Sequence, residues 1–243
     1  MANDLGNFLR TTRKASSRGR AVSLDVQRLE GRALMSRGGI VVPPRAAEVA
    51  PIIVGALASS GGAVRKAPAF SADYLGVKRA DLNLVAASAT LKNGKTLTLS
   101  ATVQGKLIRK PTGPAQEAFF VFAIDRSSPQ TFALFPTRPN ILYDAVVVVT
   151  ITKDGTGAYL ADSVTGARTD LAPKSVRVSG KTVQVDVAAS LFATPSGVKP
   201  LSQARFGVWA RSVLVHGLAD ADDFVASFLP ENGNAPIGVK GRR

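Results

Sequence analysis

Ala118-Phe-Phe-Val-Phe-Ala-Ile-Asp125 and Asp144-Ala-Val-Val-Val-Val-Thr-Ile151 are the two runs whose reading decides the fold. Both are apolar almost without interruption and rich in β-branched or aromatic side chains, which suit extended backbone. A strand with one wet face alternates apolar and polar residues, because successive side chains point to opposite sides. An unbroken run requires cover on both faces. The expectation is two central strands with the remaining chain packed around them.

Turn chemistry supports the same class on either side of these runs. Leu91-Lys-Asn-Gly-Lys-Thr-Leu97 sets Asn93-Gly94 between apolar positions, and such a pair makes a tight hairpin because both residues accept positive φ. The strand that follows, Thr96–Gln104, places Leu97, Leu99, Ala101 and Val103 on one face and Thr96, Thr98, Ser100 and Thr102 on the other. Ser175–Val187 reads as a second hairpin cornered at Ser179-Gly180, with Val183, Val185 and Val187 aligned. Asp154-Gly155 and Thr165-Gly166 mark further turns, and Pro129–Pro139 reads as a long proline-rich connection. Ala189–Phe192 predicts one helical turn and Ala204–Arg211 a last long strand. About nine short strands without a long helical stripe predict an all-β fold, an antiparallel β-sandwich.

Charge divides the chain. The whole carries +14, with nine Lys/Arg against four Asp/Glu in residues 1–50 and seventeen against thirteen in 73–237. The excess therefore lies mainly outside the expected sandwich, which weakens the nucleic-acid reading that such a basic chain invites. Interleaved aromatics for base stacking are missing from the basic start apart from Phe8, so no nucleic-acid partner is expected. Residues 1–36 read as a basic export or sorting segment and 37–72 as a flexible Gly/Pro/Ala linker. Residues 73–237 read as the sandwich domain and 238–243 as a basic tail. The first two segments are expected to be disordered. Ala21-Val-Ser-Leu-Asp-Val-Gln27 is interrupted by Asp25 and Gln27 and makes a poor secretory h-region. The longest apolar runs, Ile52–Ala58 and Ala145–Ile151, fall far short of the roughly 20 residues of a membrane span, so no span is expected.

Within the basic segment, Leu29, Glu30, Arg32, Leu34 and Ser36 follow a basic stretch in the order Leu-Glu-x-Arg-x-Leu-x-Ser. This resembles the N-terminal motif of many large secreted and cell-surface proteins of planctomycete bacteria, with Met35 where that motif usually has Leu. The resemblance covers about the first 36 residues and implies a processed export or sorting signal, hence a secreted or cell-surface location. The order of features over residues 80–237 also resembles, as a pattern, the sandwich of DOMON-like and family 9 carbohydrate-binding-module-like domains. These features are the Ile124-Asp125 strand, the proline-rich loop, Tyr143-Asp144, a Val-x-Val hairpin and Phe206-x-Val-Trp209. That likeness implies polysaccharide or another envelope component as partner.

Candidate sites follow from residue type and spacing. The absence of cysteine removes disulfides, thiolate nucleophiles and Cys-ligated zinc. His216 is the sole histidine, and no nucleophile elbow or paired-histidine motif accompanies it. Met1 and Met35 are the only methionines, which disfavours the Met/His haem ligation of some DOMON-like domains. Ser179-Gly-Lys-Thr182 resembles the end of a P-loop, but Ser175 occupies the first glycine position and the stretch lies in a hairpin.

Trp209 shares its strand face with Arg205, Gly207 and Arg211, so these residues form a candidate sugar-stacking platform. The competing reading packs the indole on the sandwich's outer face under arginine. Asp220, Asp222 and Asp223, with Glu231 and Asn232 downstream, offer oxygen ligands that suit Ca²⁺. Phe224 and Val225 break any EF-hand spacing, and carboxylates that bond local backbone N–H groups explain the same residues. Asp125 and Asp144 each end a central strand, and a facing pair would supply the acid and base of glycoside hydrolysis. Strand-end aspartates that hold loops are the competing reading.

The balance predicts an exported, non-catalytic β-sandwich protein of the cell surface or envelope, glycan-binding or adhesive, with no cofactor unless Ca²⁺. A small Asp125/Asp144 hydrolase and a nucleic-acid binder acting through the basic arm are the alternatives. The oligomeric state is open.

Overall fold

The structure, a computed structural model, describes residues 62–135, 138–212, 225–231 and 233–241. Two antiparallel sheets pack face to face. The first runs β1 (Ala63–Arg65), β2 (Leu84–Lys92), β3 (Thr96–Val103), β11 (Thr182–Ala188), β10 (Val176–Ser179), with β15 (Gly238–Lys240) added to β2 in parallel. The second runs β13 (Val225–Leu229), β12 (Arg205–Arg211), β4 (Ala118–Asp125), β7 (Ala145–Thr152), β8 (Gly155–Asp162), β9 (Ala167–Asp170), with β14 (Ala235–Pro236) beside β12. A separate hairpin joins β5 (Phe132–Phe135) to β6 (Arg138–Tyr143). The expected antiparallel β-sandwich is therefore present.

The two apolar runs are β4 and β7, direct neighbours with Phe120 opposite Val149 and Ile124 opposite Ala145. Every residue of β4 is buried. The reason lies in two layers of apolar packing. Ala118, Phe120, Phe122 and Ile124 meet Val147, Val149, Ile151 and Leu160 and, across the sandwich, Leu97, Leu99, Val183 and Val185. The other side of the same sheet carries a second cluster, in which Val121, Ala123 and Val148 pack with Trp209, Phe228 and Ile141 of β6. Complete burial of a Phe or Leu side chain is worth about 1.5–3 kcal/mol, so these alternating rows hold the sheets together.

The hairpins follow their turn residues. Asn93 and Gly94 have φ of 51° and 65°, and the β2–β3 register closes at Lys92 opposite Thr96. Gly180, at φ 57°, corners β10 and β11. The single helical turn expected over Ala189–Phe192 is present, as a 3₁₀ turn at Ala189–Leu191.

Two expectations differ from the structure and one is extended by it. Residues 129–139 are not merely a connection: Phe132–Phe135 and Arg138–Tyr143 pair as a hairpin, since Pro139 lies in a two-stranded ribbon with free edges, where a missing N–H is tolerated. Arg205–Arg211 is the last long strand but does not end the sheets, because the shorter β13, β14 and β15 follow it. Sheet pairing also extends past both expected borders of the sandwich. β1, inside the expected linker, and β15, inside the expected tail, share the outer edge of β2. Gly62 marks where they meet: at φ 69°, a Cβ there would lie 2.3 Å from both Ala89 O and Gly238 N. Short β-additions of two or three residues carry too little periodicity to show in sequence.

Candidate functional site: an arginine clamp at each end of the sandwich

Register brings the first group together. Ile124 faces Ala145 and Ala145 faces Asp162, so the residues that end β4, precede β7 and end β8 fall at one end of the sheet. Arg126, just beyond β4, is fully buried there with Asp144, and Asp162 is 3% exposed. A buried charge demands partners, because leaving it unpaired in a poorly polarisable interior is costly. Arg126 Nε donates to Asp144 Oδ1 at 2.7 Å and Nη2 to Asp162 Oδ1 at 3.0 Å. Its Nη1 donates to Ala193 O at 2.6 Å, and the guanidinium carbon stands 5.7 Å from the centre of the Phe192 ring.

The carboxylates are equally engaged. Asp144 Oδ2 accepts the backbone N–H groups of Arg126 (2.9 Å) and Ser128 (3.2 Å). Asp162 Oδ1 also accepts Val164 N–H at 2.9 Å, and its Oδ2 accepts Ala193 N–H at 3.3 Å. All four carboxylate oxygens thus hold donors. Ala193 and Phe192 follow β11 of the opposite sheet, so the cluster ties the two sheets across their open end. Lys199 N–H to Arg126 O, at 2.9 Å, adds a further link to the same crossover.

The other end has its own clamp. Arg79 precedes β2 and pairs side-on with Asp81 through Nε (2.9 Å) and Nη2 (2.7 Å). Its remaining donors reach three successive carbonyls of the segment before β4: Ala115, Gln116 (2.9 Å) and Glu117 (3.3 Å). The planar fork of arginine matches this arrangement and an ammonium does not.

Against this geometry the candidate residues fall as follows. Asp125 and Asp144 do not form a facing catalytic pair: Asp144 is held by Arg126, and Asp125 Oδ1 accepts Ser127 N–H at 2.8 Å in a tight local turn with Ser127 at φ 55°. Trp209 is 5% exposed in the second apolar cluster, tilted against Tyr143 at 6.3 Å between ring centres, so its indole does not offer an open face for a sugar ring. Arg205 points its Nε and Nη2 at Asn234 O, at 2.9 and 2.5 Å. Arg211 is partly exposed near Tyr159, whose hydroxyl is raised above its ordinary pKa by burial, while the Arg168 and Arg211 charges draw it partly back.

The calcium candidates Asp220, Asp222 and Asp223, with His216 and Asn232, lie outside the described residues. So do the motif residues Leu29, Glu30, Arg32, Leu34 and Ser36. Glu231, by contrast, takes Lys66 Nζ at 3.2 Å. Among the described residues no three His, Cys, Asp or Glu side chains cluster as metal ligands, and no helix is long and apolar enough to cross a membrane.

Neither arginine stood out in the sequence. The signal for Arg126 was nonetheless present: a charged residue just past an almost wholly apolar strand, with Asp144 before β7 and Asp162 ending β8 at the same end of the sheet. Comparison with protein-family models and with curated proteins finds no match to this chain.

Proposed function

We propose that this chain is an exported, non-catalytic β-sandwich component of the cell surface or envelope that contacts polysaccharide. The observation carrying this reading is the use to which the rim carboxylates are put. Asp144, one of the two carboxylates of the Asp125/Asp144 hydrolase alternative, serves with Asp162 as a ligand of a buried arginine. A general acid or base must reach a substrate proton within about 3 Å. Asp144, with no exposure and three donors, does not present such an atom. The sequence motif from Leu29 to Ser36 supports the location.

Recovery of the protein from intact cells tests the proposal. Surface shaving followed by N-terminal sequencing is expected to yield a form that begins after Ser36. Deletion of Leu29–Ser36 should hold the chain inside. A protein found only within the cytosol and still starting at Met1 overturns the reading.

A further inference from the structure

The Arg79 end of the sandwich gathers cations that form no ion pair among the described residues. Three segments converge there. The Gln104–Pro114 loop is pinned to the segment before β2 by Gln104 N–H to Asn83 O (2.8 Å) and Gly105 N–H to Ala80 O (2.8 Å). It is pinned to the β10–β11 corner by Leu107 N–H to Gly180 O at 2.9 Å. Arg79 then fixes the residues that follow the loop, through the Ala115, Gln116 and Glu117 carbonyls. These bonds hold Lys78, Lys106, Arg109, Lys110 and Lys181 on one rim, all five exposed.

None of the five takes part in an ion pair among the described residues. Among the described acids of this end, Asp73 is exposed and forms no ion pair, and the others are engaged. Asp81 is held by Arg79, Asp154 by Lys153 Nζ at 2.7 Å, and Glu117 Oε1 accepts Lys153 N–H at 3.2 Å. Five cations without an ion pair among the described residues, against the carboxylates of Asp73 and Glu117, leave the described rim net positive, which raises the local potential and attracts a polyanion.

We infer that this rim, and not the Trp209 strand, is the binding surface for an acidic polysaccharide bearing carboxylate groups. The inference rests on the proposed surface role and deepens it by naming the ligand class and the residues. Four of the five cations are lysines, which meet dispersed carboxylates as mobile point charges rather than as planar forks. The segments 78–83, 104–117 and 180–181 contain no Phe, Tyr or Trp, so the rim lacks the stacking platforms by which single-stranded nucleic acid is held. Compact loops at a sandwich end also present a surface that an extended chain can cross without insertion.

The test uses the full chain and immobilised polygalacturonate, with neutral dextran and duplex DNA as parallel matrices. The variant Lys106→Gln/Arg109→Gln/Lys110→Gln is compared with Lys92→Gln/Lys95→Gln/Lys240→Gln, which removes the same charge from exposed positions at the other end. Thermal unfolding of both variants checks that each folds like wild type. Wild type should be retained on polygalacturonate and not on dextran. The first variant should elute at clearly lower salt, with a log–log salt slope smaller by about two to three, as for loss of that many contacts with a linear polyanion. The second should elute close to wild type. Equal losses in the two variants, or stronger retention on DNA with the same dependence on Lys106, Arg109 and Lys110, overturn the inference. Its failure is separable from that of the export proposal: a surface-recovered chain that ignores polygalacturonate sinks only the rim. A rim-dependent binder confined to the cytosol sinks the surface role.

Discussion

The two ends of the sandwich are closed by the same residue type under different conditions. At one end Arg126 is fully buried between Asp144 and Asp162 and ties both sheets together. At the other Arg79, with its side chain 13% exposed, pairs with a single aspartate and a run of carbonyls in one loop. The first cluster carries a formal excess of one negative charge, balanced by backbone N–H groups of Arg126, Ser128, Val164 and Ala193. The second is neutral and only partly shielded from water, at the Arg79 side chain. The difference teaches what arginine does in each place. Where water is excluded, the ion cluster is obligatory once any member is present. Where water reaches, arginine chiefly orders a loop.

Removing the central cation should have the largest effect. Arg126→Ala leaves two aspartates buried without their counter-ion, and breaking a buried pair in this way costs about 3–5 kcal/mol. For a domain of this size that corresponds to a melting temperature lower by about 10–15 °C. A loss under about 1 kcal/mol in urea unfolding would break the contrast between the ends. The joint replacement Arg126→Met/Asp144→Leu/Asp162→Leu sharpens it. Apolar substitution of a buried ion cluster is often neutral or stabilising elsewhere. Here four backbone donors lose their acceptors, and an unsatisfied buried donor costs about 1–3 kcal/mol. The triple variant should therefore stay at least about 2 kcal/mol below wild type, and full recovery would mean that the carboxylates serve the arginine alone.

Arg79→Ala comes next. The partly hydrated site loses its fork, but water reaches some of the freed carbonyls, so the expected cost is about 2 kcal/mol, mostly as local loosening. Hydrogen exchange should quicken around Gln116 and Glu117 and not around Ala193. Smaller still is Arg177→Ala, which removes a pair with Asp186 whose arginine is 66% exposed. Surface pairs of that kind contribute about 0–1 kcal/mol, and the melt should hardly move.

How much of this was legible follows the same division. β4 and β7 were readable because burial on both faces writes an unbroken apolar run, and the hairpins because Asn93-Gly94 and Gly180 must accept positive φ. Asp125 and Asp144 were noticed as strand-end carboxylates, yet their partner was not. An arginine's burial depends on register, on Ala145 facing both Ile124 and Asp162, which a single sequence does not reveal. Trp209 was placed on its correct face with Arg205 and Arg211. What covers that face is the β5–β6 hairpin, through Ile141 and Tyr143, and most of that hairpin falls in the Pro129–Pro139 stretch whose prolines predict only a connection.

The finest probe of the comparison is phenolate titration. Tyr74, Tyr143 and Tyr159 are the only tyrosines, and burial is the main cause lifting each above its ordinary value of 10.0. A raised folded-state value means that the folded chain holds these protons more tightly than the unfolded chain. Their contribution to stability is therefore complete below about pH 10 and is lost as pH climbs past it. Tyr74 alone adjoins a clamp: the Ser212 hydroxyl and the Arg79 charge draw its value partly back, while Asp81 pushes it up. Arg79→Gln should then move the Tyr74 transition to higher pH, read as the difference in ultraviolet absorbance between this variant with and without Tyr74→Phe. Asp144→Asn, at the opposite end, should leave that transition in place. A shift of equal size in both would mean that the ends are coupled through the sheets, and the two clamps would have to be treated as one.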